Sequence, residues 1–342
     1  MKYIRNIKKN RKYKLILLVF WIFFLVILSN NDLKMATKIF LKKKFNSLFV
    51  INNHYNEIIN NKKICMCTLG KKENRYIREF VQHYEKYGVD KIFLYDNNDV
   101  NGERFEWIIG DYIKKGLVEV FNWRGRKKVL YKIMNSCYKK NFNKFDWLIF
   151  YELDEFIHLS NYSNIKVFLN EEKFNKCNLI YLNLLCHTDN NLLFYENKSL
   201  AERFPKIVPT TKIGGRLLEI KCIMRGHIPG IRITSPHECN AHRKYKNCNG
   251  FGHLYKHKRK LSTENDYRYY YIDHYYSKST EEFIDKIKKG DAQYRTLSYT
   301  LHRIYKYFSQ SEFTEEKRVM IQNLTGINLT IFKNYSSKRN LI

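Results

Sequence analysis

Four short apolar runs, at Ile64 to Leu69, Lys91 to Asp96, Leu117 to Phe121 and Trp147 to Tyr151, alternate with stretches whose apolar residues recur at helical spacing. The helical stretches cover 72–87, 103–115 and 128–140. The first of them sets Ile77, Phe80, Val81, Tyr84 and Tyr87 on one face and stops at Gly88. Strands joined by helices of this length pair in parallel through crossovers, which predicts an α/β sheet covered on both faces. Such a sheet binds ligands beyond the carboxyl ends of its strands. That rule gathers Thr68 to Lys71, Asp96 to Asp99, Asn122 to Arg126 and Glu152 to Glu155 along one edge, as one candidate site.

The fourth run carries straight into acid: Asp146-Trp-Leu-Ile-Phe-Tyr-Glu-Leu-Asp-Glu-Phe-Ile157. If the strand continues, its period of two puts Glu152 and Asp154 on one face while Leu153 points into the core. Neighbouring carboxylates at the end of an apolar strand repel and are costly to desolvate unless a cation lies between them. A hard ion that takes oxygen ligands, Mn²⁺ or Mg²⁺, meets that need. The plain alternative is a solvated strand end that is merely acidic.

Four blocks, in order, resemble glycosyltransferase family 92 and related family 2-like transferases. They are Lys72-Glu-Asn-Arg-Tyr-Ile through Tyr95-Asp-Asn-Asn98, Asp146-Trp through Asp154-Glu-Phe156, Leu200-Ala-Glu-Arg-Phe204, and His274-Tyr-Tyr-Ser-Lys-Ser-Thr through Lys289-Gly290. The resemblance implies a GT-A fold, Rossmann-like with a mostly parallel sheet flanked by helices. It also implies a nucleotide-sugar donor, a UDP-linked hexose, and a divalent metal held by an Asp-x-Asp motif. Glu152 stands where the family usually has the first Asp of that motif, and Asp154 is the second. His274 opens a block similar to the family's late His-Tyr motif and is expected to complete the metal site, a role that neutral imidazole can fill. Thr68, Glu73 and Asp96 are expected to hold the nucleoside, although Asp96 equally suits a turn with Asn97 and Asn98. Lys278 is expected to pair with phosphate. Asp189, in Cys186-His-Thr-Asp-Asn-Asn191, lies where inverting GT-A enzymes commonly place a catalytic carboxylate, with His187 as the alternative base and an ordinary polar turn as the plain reading. The acceptor is expected to be a glycan or glycolipid.

Charge opens competing readings. The 342 residues carry a net +29, which fits a membrane-tethered protein that binds nucleic acid or anionic lipid without catalysis. The basic residues are spread along the chain, in the Lys-, Asn-, Ile- and Tyr-rich composition that A/T-rich coding favours. An acidic cluster at the site edge would repel polyanions, so no nucleic-acid partner is expected. A metal-dependent phosphodiesterase would use the same carboxylates.

Leu15 to Leu28 is free of charge and follows a basic stretch, 1–14. Fourteen helical residues rise only about 21 Å against about 30 Å of hydrocarbon, so a span takes in residues 15–30. No small-x-small cleavage site follows, which favours an uncleaved signal anchor over a removed leader. The expected layout is a cytoplasmic tail at 1–14, a transmembrane helix at 15–30, a stem at 31–60, a catalytic domain at 61–300 and a helical C-terminal extension at 301–342. That makes a type II membrane protein with its catalytic domain in the Golgi or ER lumen. The 8 cysteines include no C-x-x-C pair. The set His237, Cys239, His242, Cys248, His253 and His257 fits no compact zinc finger and reads as an irregular loop, with a Cys239 to Cys248 disulfide as one pairing. Triplets at Asn161, Asn197, Asn323, Asn328 and Asn334 permit lumenal glycosylation.

Overall fold

The structure is a computed structural model that describes residues 44, 56–57, 61–209, 218–235, 237, 245–254, 261–262, 269–290 and 296–330. The chain divides into two compact units, 1–58 and 59–342, and every element below belongs to the second. The apolar run at 15–28 and most of the stem read at 31–60 lie outside the described residues. So do Cys239, His242, His257 and Asn334. Among the described residues no helix is long and apolar enough to cross a membrane.

The first half follows the strand and helix alternation: β1 (Ile64–Gly70), α1 (Ile77–Lys86), β2 (Lys91–Asp96), α2 (Glu106–Lys114), β3 (Val118–Asn122), α3 (Leu130–Asn141) and β4 (Trp147–Ile149). Then come β5 (Glu155–Leu159), α4 (Ile165–Leu169), β6 (Leu179–Cys186), α5 (Leu200–Arg203), β7 (Leu218–Arg225), β8 (Asn247–Asn249), β9 (Leu261–Ser262) and β10 (Tyr270–His274). Three helices finish the described chain: α6 (Thr280–Lys289), α7 (Leu297–Gln310) and α8 (Glu315–Thr325).

The strands lie in the order β3-β2-β1-β4-β7-β6-β10-β5, with β8 on β6 and β9 on β7. The sheet is mixed but, as expected, mostly parallel: only β7 and β5 run against the other strands, and β6 pairs in parallel with both β10 and β8. The strands β3, β2, β1 and β4 run parallel, but β7 is antiparallel to both β4 and β6, and β5 is antiparallel to β10. Helical crossovers force parallel pairing, and the helical alternation in the sequence stops at Tyr151. Between β6 and β7 the described chain offers only the four-residue α5, too short for a crossover helix.

Period-two burial explains why both faces are covered. Ile64 and Met66 of β1, with Ile92 and Leu94 of β2, pack into the core that takes Ile77, Phe80, Val81 and Tyr84 of α1. Cys65 and Cys67, with Phe93 and Tyr95, face the opposite core with Ile133, Met134 and Cys137 of α3. Each large apolar side chain so buried contributes roughly 1.5–3 kcal/mol. A third cluster joins the C-terminal helices through Phe283 and Ile284 of α6, Ile304, Tyr307 and Phe308 of α7, and Ile321 of α8.

Disulfides tie Cys67 of β1 to Cys137 of α3, and Cys177, just before β6, to Cys248 of β8. The second corrects the Cys239 to Cys248 pairing, because β8 lies parallel against the start of β6 and brings Cys248 beside Cys177. Closing loops of 70 and 71 residues removes denatured-state entropy worth about 4 kcal/mol each in the chain-entropy account.

One half-buried histidine is expected to set an acid limit on this fold. The ring of His83 donates from Nε2 to the Ile157 carbonyl at 2.9 Å and lies edge-on to Tyr84 and Phe156. Burial pushes its pKa down from 6.5 to about 4. A depressed folded-state pKa means that the contribution is complete above pH 6.5 and is lost as pH falls from 6.5 through 4. Each pH unit in that window costs at most about 1.4 kcal/mol. The melting temperature is therefore expected to fall between pH 6.5 and 4, and His83→Gln is expected to flatten that slope. An unchanged slope in the variant would assign the acid limit to other groups.

Candidate active site

The parallel strands β1, β2, β3 and β4 end on one edge, and their loops interlock there. Asn97 donates from its backbone to the Gly70 carbonyl at 2.9 Å, and its side chain donates to the carbonyls of Trp123 and Arg126. Asp96 is buried, accepts from the Asn98 backbone at 2.8 Å and pairs with the Arg124 guanidinium. Arg124 also donates to the carbonyls of Asp99, Gly102 and Glu103. Asp96 thus organises the loops around it, the turn-forming role that the sequence left open. Gly70 is required at this junction: a Cβ there would come within 2.5 Å of Leu153 and 2.6 Å of Phe105.

The acidic segment departs from the expected strand. The ladder of β4 ends at Ile149, and the Glu155 backbone donates to the Glu152 carbonyl at 3.0 Å, closing a turn before β5 begins. A turn brings three carboxylates together where an extended strand would align only two. Asp154, Glu155 and His274 offer ligand atoms that all lie within 4.8 Å of one another. The His274 Nε2 is 3.9 Å from Asp154 and 4.0 Å from Glu155. Glu152 faces Lys221 instead, at 2.9 Å, and its side chain stays about half exposed (47%). Lys221 is fully buried on β7 and also lies 2.9 Å from Glu155.

These contacts set the charge states. The Lys221 ammonium pulls the Glu152 pKa down to about 2, whereas burial pushes Glu155 up to about 8 against the pull of the same ammonium. Burial raises Asp154, but the ammonium groups of Lys286, 2.8 Å away, and of Lys278 outweigh it and hold the carboxyl well below the usual range. Burial lowers His274 to about 3, so its imidazole is neutral at physiological pH. Two carboxyl oxygens and a neutral imidazole nitrogen converging on one point form a donor set that suits Mn²⁺ or Mg²⁺.

A cleft of about 330 Å³ opens over this cluster. One wall is the first loop, with Gly70, Lys71 and Glu73, together with Tyr131 of α3. Lys286 and Lys289 of α6, with Tyr299, His302, Arg303 and Lys306 of α7 spaced as one helical face, complete the lining, and Lys289 donates to the Lys71 carbonyl at 3.0 Å. The loop that carries Glu73 exists because α1 starts at Ile77, later than the periodicity predicts; Lys72 turns there with φ of 54°. Glu73 lies 3.3 Å from Lys278 and in closer contact with Lys289. The ammonium of Lys278 also sits 3.5 Å from the centre of the Tyr76 ring. Glu219 of β7 pairs with Lys306 at 3.0 Å, which overcomes the effect of burial and keeps its carboxyl far below the usual range.

Of the sequence candidates, Glu73, Glu152, Asp154 and His274 line this cleft, and Lys278 lines an adjoining cavity. Thr68 is buried beneath it, with an unpartnered Oγ1, beside a small void shared with Tyr151 and Lys221. Asp189 is absent from the lining. Its side chain is 1% exposed and is held by Lys317 at 2.7 Å and the Tyr307 hydroxyl at 2.8 Å, so it fastens the C-terminal helices to the loop after β6. His187 is likewise engaged, by the Phe204 carbonyl at 2.6 Å, Asp273 at 2.7 Å and the Tyr275 ring. Sequence reasoning missed Lys221, Glu219, Lys286, Lys289 and Lys306. Lys221 had one signal, a charge inside the apolar run Leu218–Arg225, and Lys286 and Lys289 had another, their spacing of three on an amphipathic helix.

The chain is similar to several known proteins. A model of glycosyltransferase family 92 matches residues 62–305. A family 92 protein of Ricinus communis is 24% identical over 130 residues, 37% of this chain and 22% of its own length. Another, of Oryza sativa subsp. japonica, is 24% identical over 96 residues, 28% of this chain and 16% of its own length. These matches therefore span about a fifth of the relatives' length or less. Similar solved structures include S. aureus TarS 1–349 in complex with UDP, at a TM-score of 0.32 and 12% identity, covering 82% of this chain and 75% of that one. The complex of the same protein with UDP-GlcNAc has a TM-score of 0.30 at 12% identity, covering 77% and 80%.

Proposed function

We propose, because the chain belongs to glycosyltransferase family 92, that it moves a hexose from a nucleoside-diphosphate sugar, UDP-linked, to a glycan or glycolipid, with inversion. The observation that carries this reading is the convergence of Asp154, Glu155 and His274 beside a cleft lined by Asp154, His274, Lys286 and Lys289. The GT-A description of the sheet belongs to the same proposal.

Departure of a nucleoside diphosphate leaves negative charge on its phosphates; Asp154, Glu155 and His274 are the residues that would hold a divalent ion, which would supply Lewis-acid stabilisation for that charge. The chain's own cations act on the same charge. Lys286 and Lys289 are largely buried in the cleft wall, where low dielectric strengthens their attraction for phosphate oxygens. Glu73 fixes Lys289 in place, and Tyr131 at the start of α3 offers an aromatic face to the nucleoside. The acceptor hydroxyl must lose a proton to a group in the cleft. Neither Asp189, whose oxygens are occupied elsewhere, nor Glu152, half-exposed at the cleft but held by the Lys221 ammonium at a pKa of about 2, is a strong base for it.

Disulfides form and persist in oxidising compartments, so the Cys67 to Cys137 and Cys177 to Cys248 pairs support a lumenal domain. The signal anchor at 15–30 and the type II orientation are part of this proposal. Incubating the purified chain with Mn²⁺ and a panel of nucleotide sugars, then weighing the products by mass spectrometry, tests the function. A hexose added to an acceptor and a released nucleoside diphosphate are expected. Cleavage of a phosphodiester without any transferred sugar would overturn it.

A further inference from the structure

The three carboxylates of the acidic turn carry two resident ammonium groups, and the two are held very differently. Lys221 rises from the middle of β7, is fully buried, and lies 2.9 Å from both Glu152 and Glu155. It is a fixed part of the floor. Lys286 comes from α6 and meets Asp154 at 2.8 Å. Its other partners are generic ones, the Tyr276 carbonyl at 3.1 Å and the Tyr276 ring, whose centre is 4.0 Å away. Lys286 also lines both the cleft and an adjoining cavity of about 300 Å³, as Lys289 does. The ammonium therefore has open volume to either side of its present position.

We propose that Lys286 is a built-in counter-cation that occupies the Asp154 carboxylate until a divalent ion arrives, and then transfers to the phosphates that accompany that ion. The proposal rests on the metal and donor reading above. Lys286 stands 2.8 Å from Asp154, so an ion that takes this carboxylate as a ligand comes close to the ammonium. Its two positive charges then repel Lys286 from the carboxylate it had neutralised. A diphosphate restores the balance and offers Lys286 new acceptors. Metal and nucleotide thereby favour each other, because the nucleotide retains the lysine that otherwise competes with the metal. Lys286 is a positioning residue in this scheme: it acts through Asp154 before the donor arrives.

The test is Mn²⁺ affinity, read on the full chain from the electron paramagnetic resonance signal of the free aqueous ion, with and without UDP. Wild type, Lys286→Met, Lys286→Arg and Asp154→Asn are compared, with circular dichroism of each and Lys286→Gln in reserve should the Met variant misfold. Without UDP, Lys286→Met is expected to bind Mn²⁺ about tenfold more tightly than wild type, the scale of losing one competing ion pair in a partly buried site. UDP is expected to tighten Mn²⁺ binding in wild type and Lys286→Arg, and much less in Lys286→Met. Equal or weaker Mn²⁺ binding by Lys286→Met, with Asp154→Asn abolishing it, would overturn the competition and leave the metal site standing. No Mn²⁺ binding by any of the proteins, with or without UDP, would overturn both.

Discussion

Asp154→Asn is expected to lower the turnover of sugar transfer by about a thousandfold, with the protein still folded. Loss of one charged oxygen at the centre of a metal and phosphate site costs catalysis on that scale. The substitution keeps the shape of the side chain, so packing around the turn survives. What it removes is the anionic ligand shared between His274, 3.9 Å away, and Lys286, 2.8 Å away. Glu155 cannot replace it, since its carboxylate is already 2.9 Å from Lys221 and its backbone closes the turn. Steady-state rates with saturating donor and Mn²⁺, beside a melting curve, check the claim. A folded variant with turnover within about threefold of wild type would remove Asp154 from the chemistry.

The largest stability effect is expected at Glu282, one turn before Lys286 on α6. Its carboxylate accepts from Arg203 at 2.7 Å, from the Ser279 backbone at 3.1 Å, and from the Tyr76 hydroxyl. The side chains of Glu282 and Arg203 are each 1% exposed. One residue thus caps α6, satisfies a buried guanidinium and pins α1 to α6. Glu282→Ala leaves Arg203 charged, buried and unpaired, and is expected to cost about 3–5 kcal/mol. The melting temperature is expected to drop by roughly 10 °C. Arg203→Met combined with Glu282→Leu is expected to recover part of the loss, because the penalty comes from the stranded charge more than from the missing attraction. A double variant no more stable than the single one would shift the explanation to the α6 cap.

How far the sequence could lead is clear from particular residues. The β1 to β4 half could be read because strands buried on both faces appear as continuous apolar runs and the covering helices carry a 3.6 period. Glu155 was within the acidic segment but could not be assigned, since the turn that turns it toward His274 replaces the extended strand that period-two reasoning assumes. Asp189 shows the opposite failure. Its position after an apolar strand resembles a catalytic one, yet Lys317 on α8, far along the chain, neutralises it. Lys221 and Glu219 reach the site only because β7 inserts antiparallel between β4 and β6, a topology that no local pattern encodes.

The Cys67 to Cys137 bond has a further consequence for how the chain is made. Cys65 sits two residues before Cys67 on the same strand, is buried as a free thiol, and faces the same core as Cys137. As the polypeptide leaves the ribosome, both thiols are present long before Cys137 emerges, and a crosslink from the wrong one would shift β1 by two residues while still presenting apolar side chains to the same side. Correct maturation therefore calls for thiol exchange that can undo the near-miss. Production hosts that lack a disulfide isomerase would accumulate a register-shifted isomer with a displaced Gly70 and a misshapen mouth to the cleft.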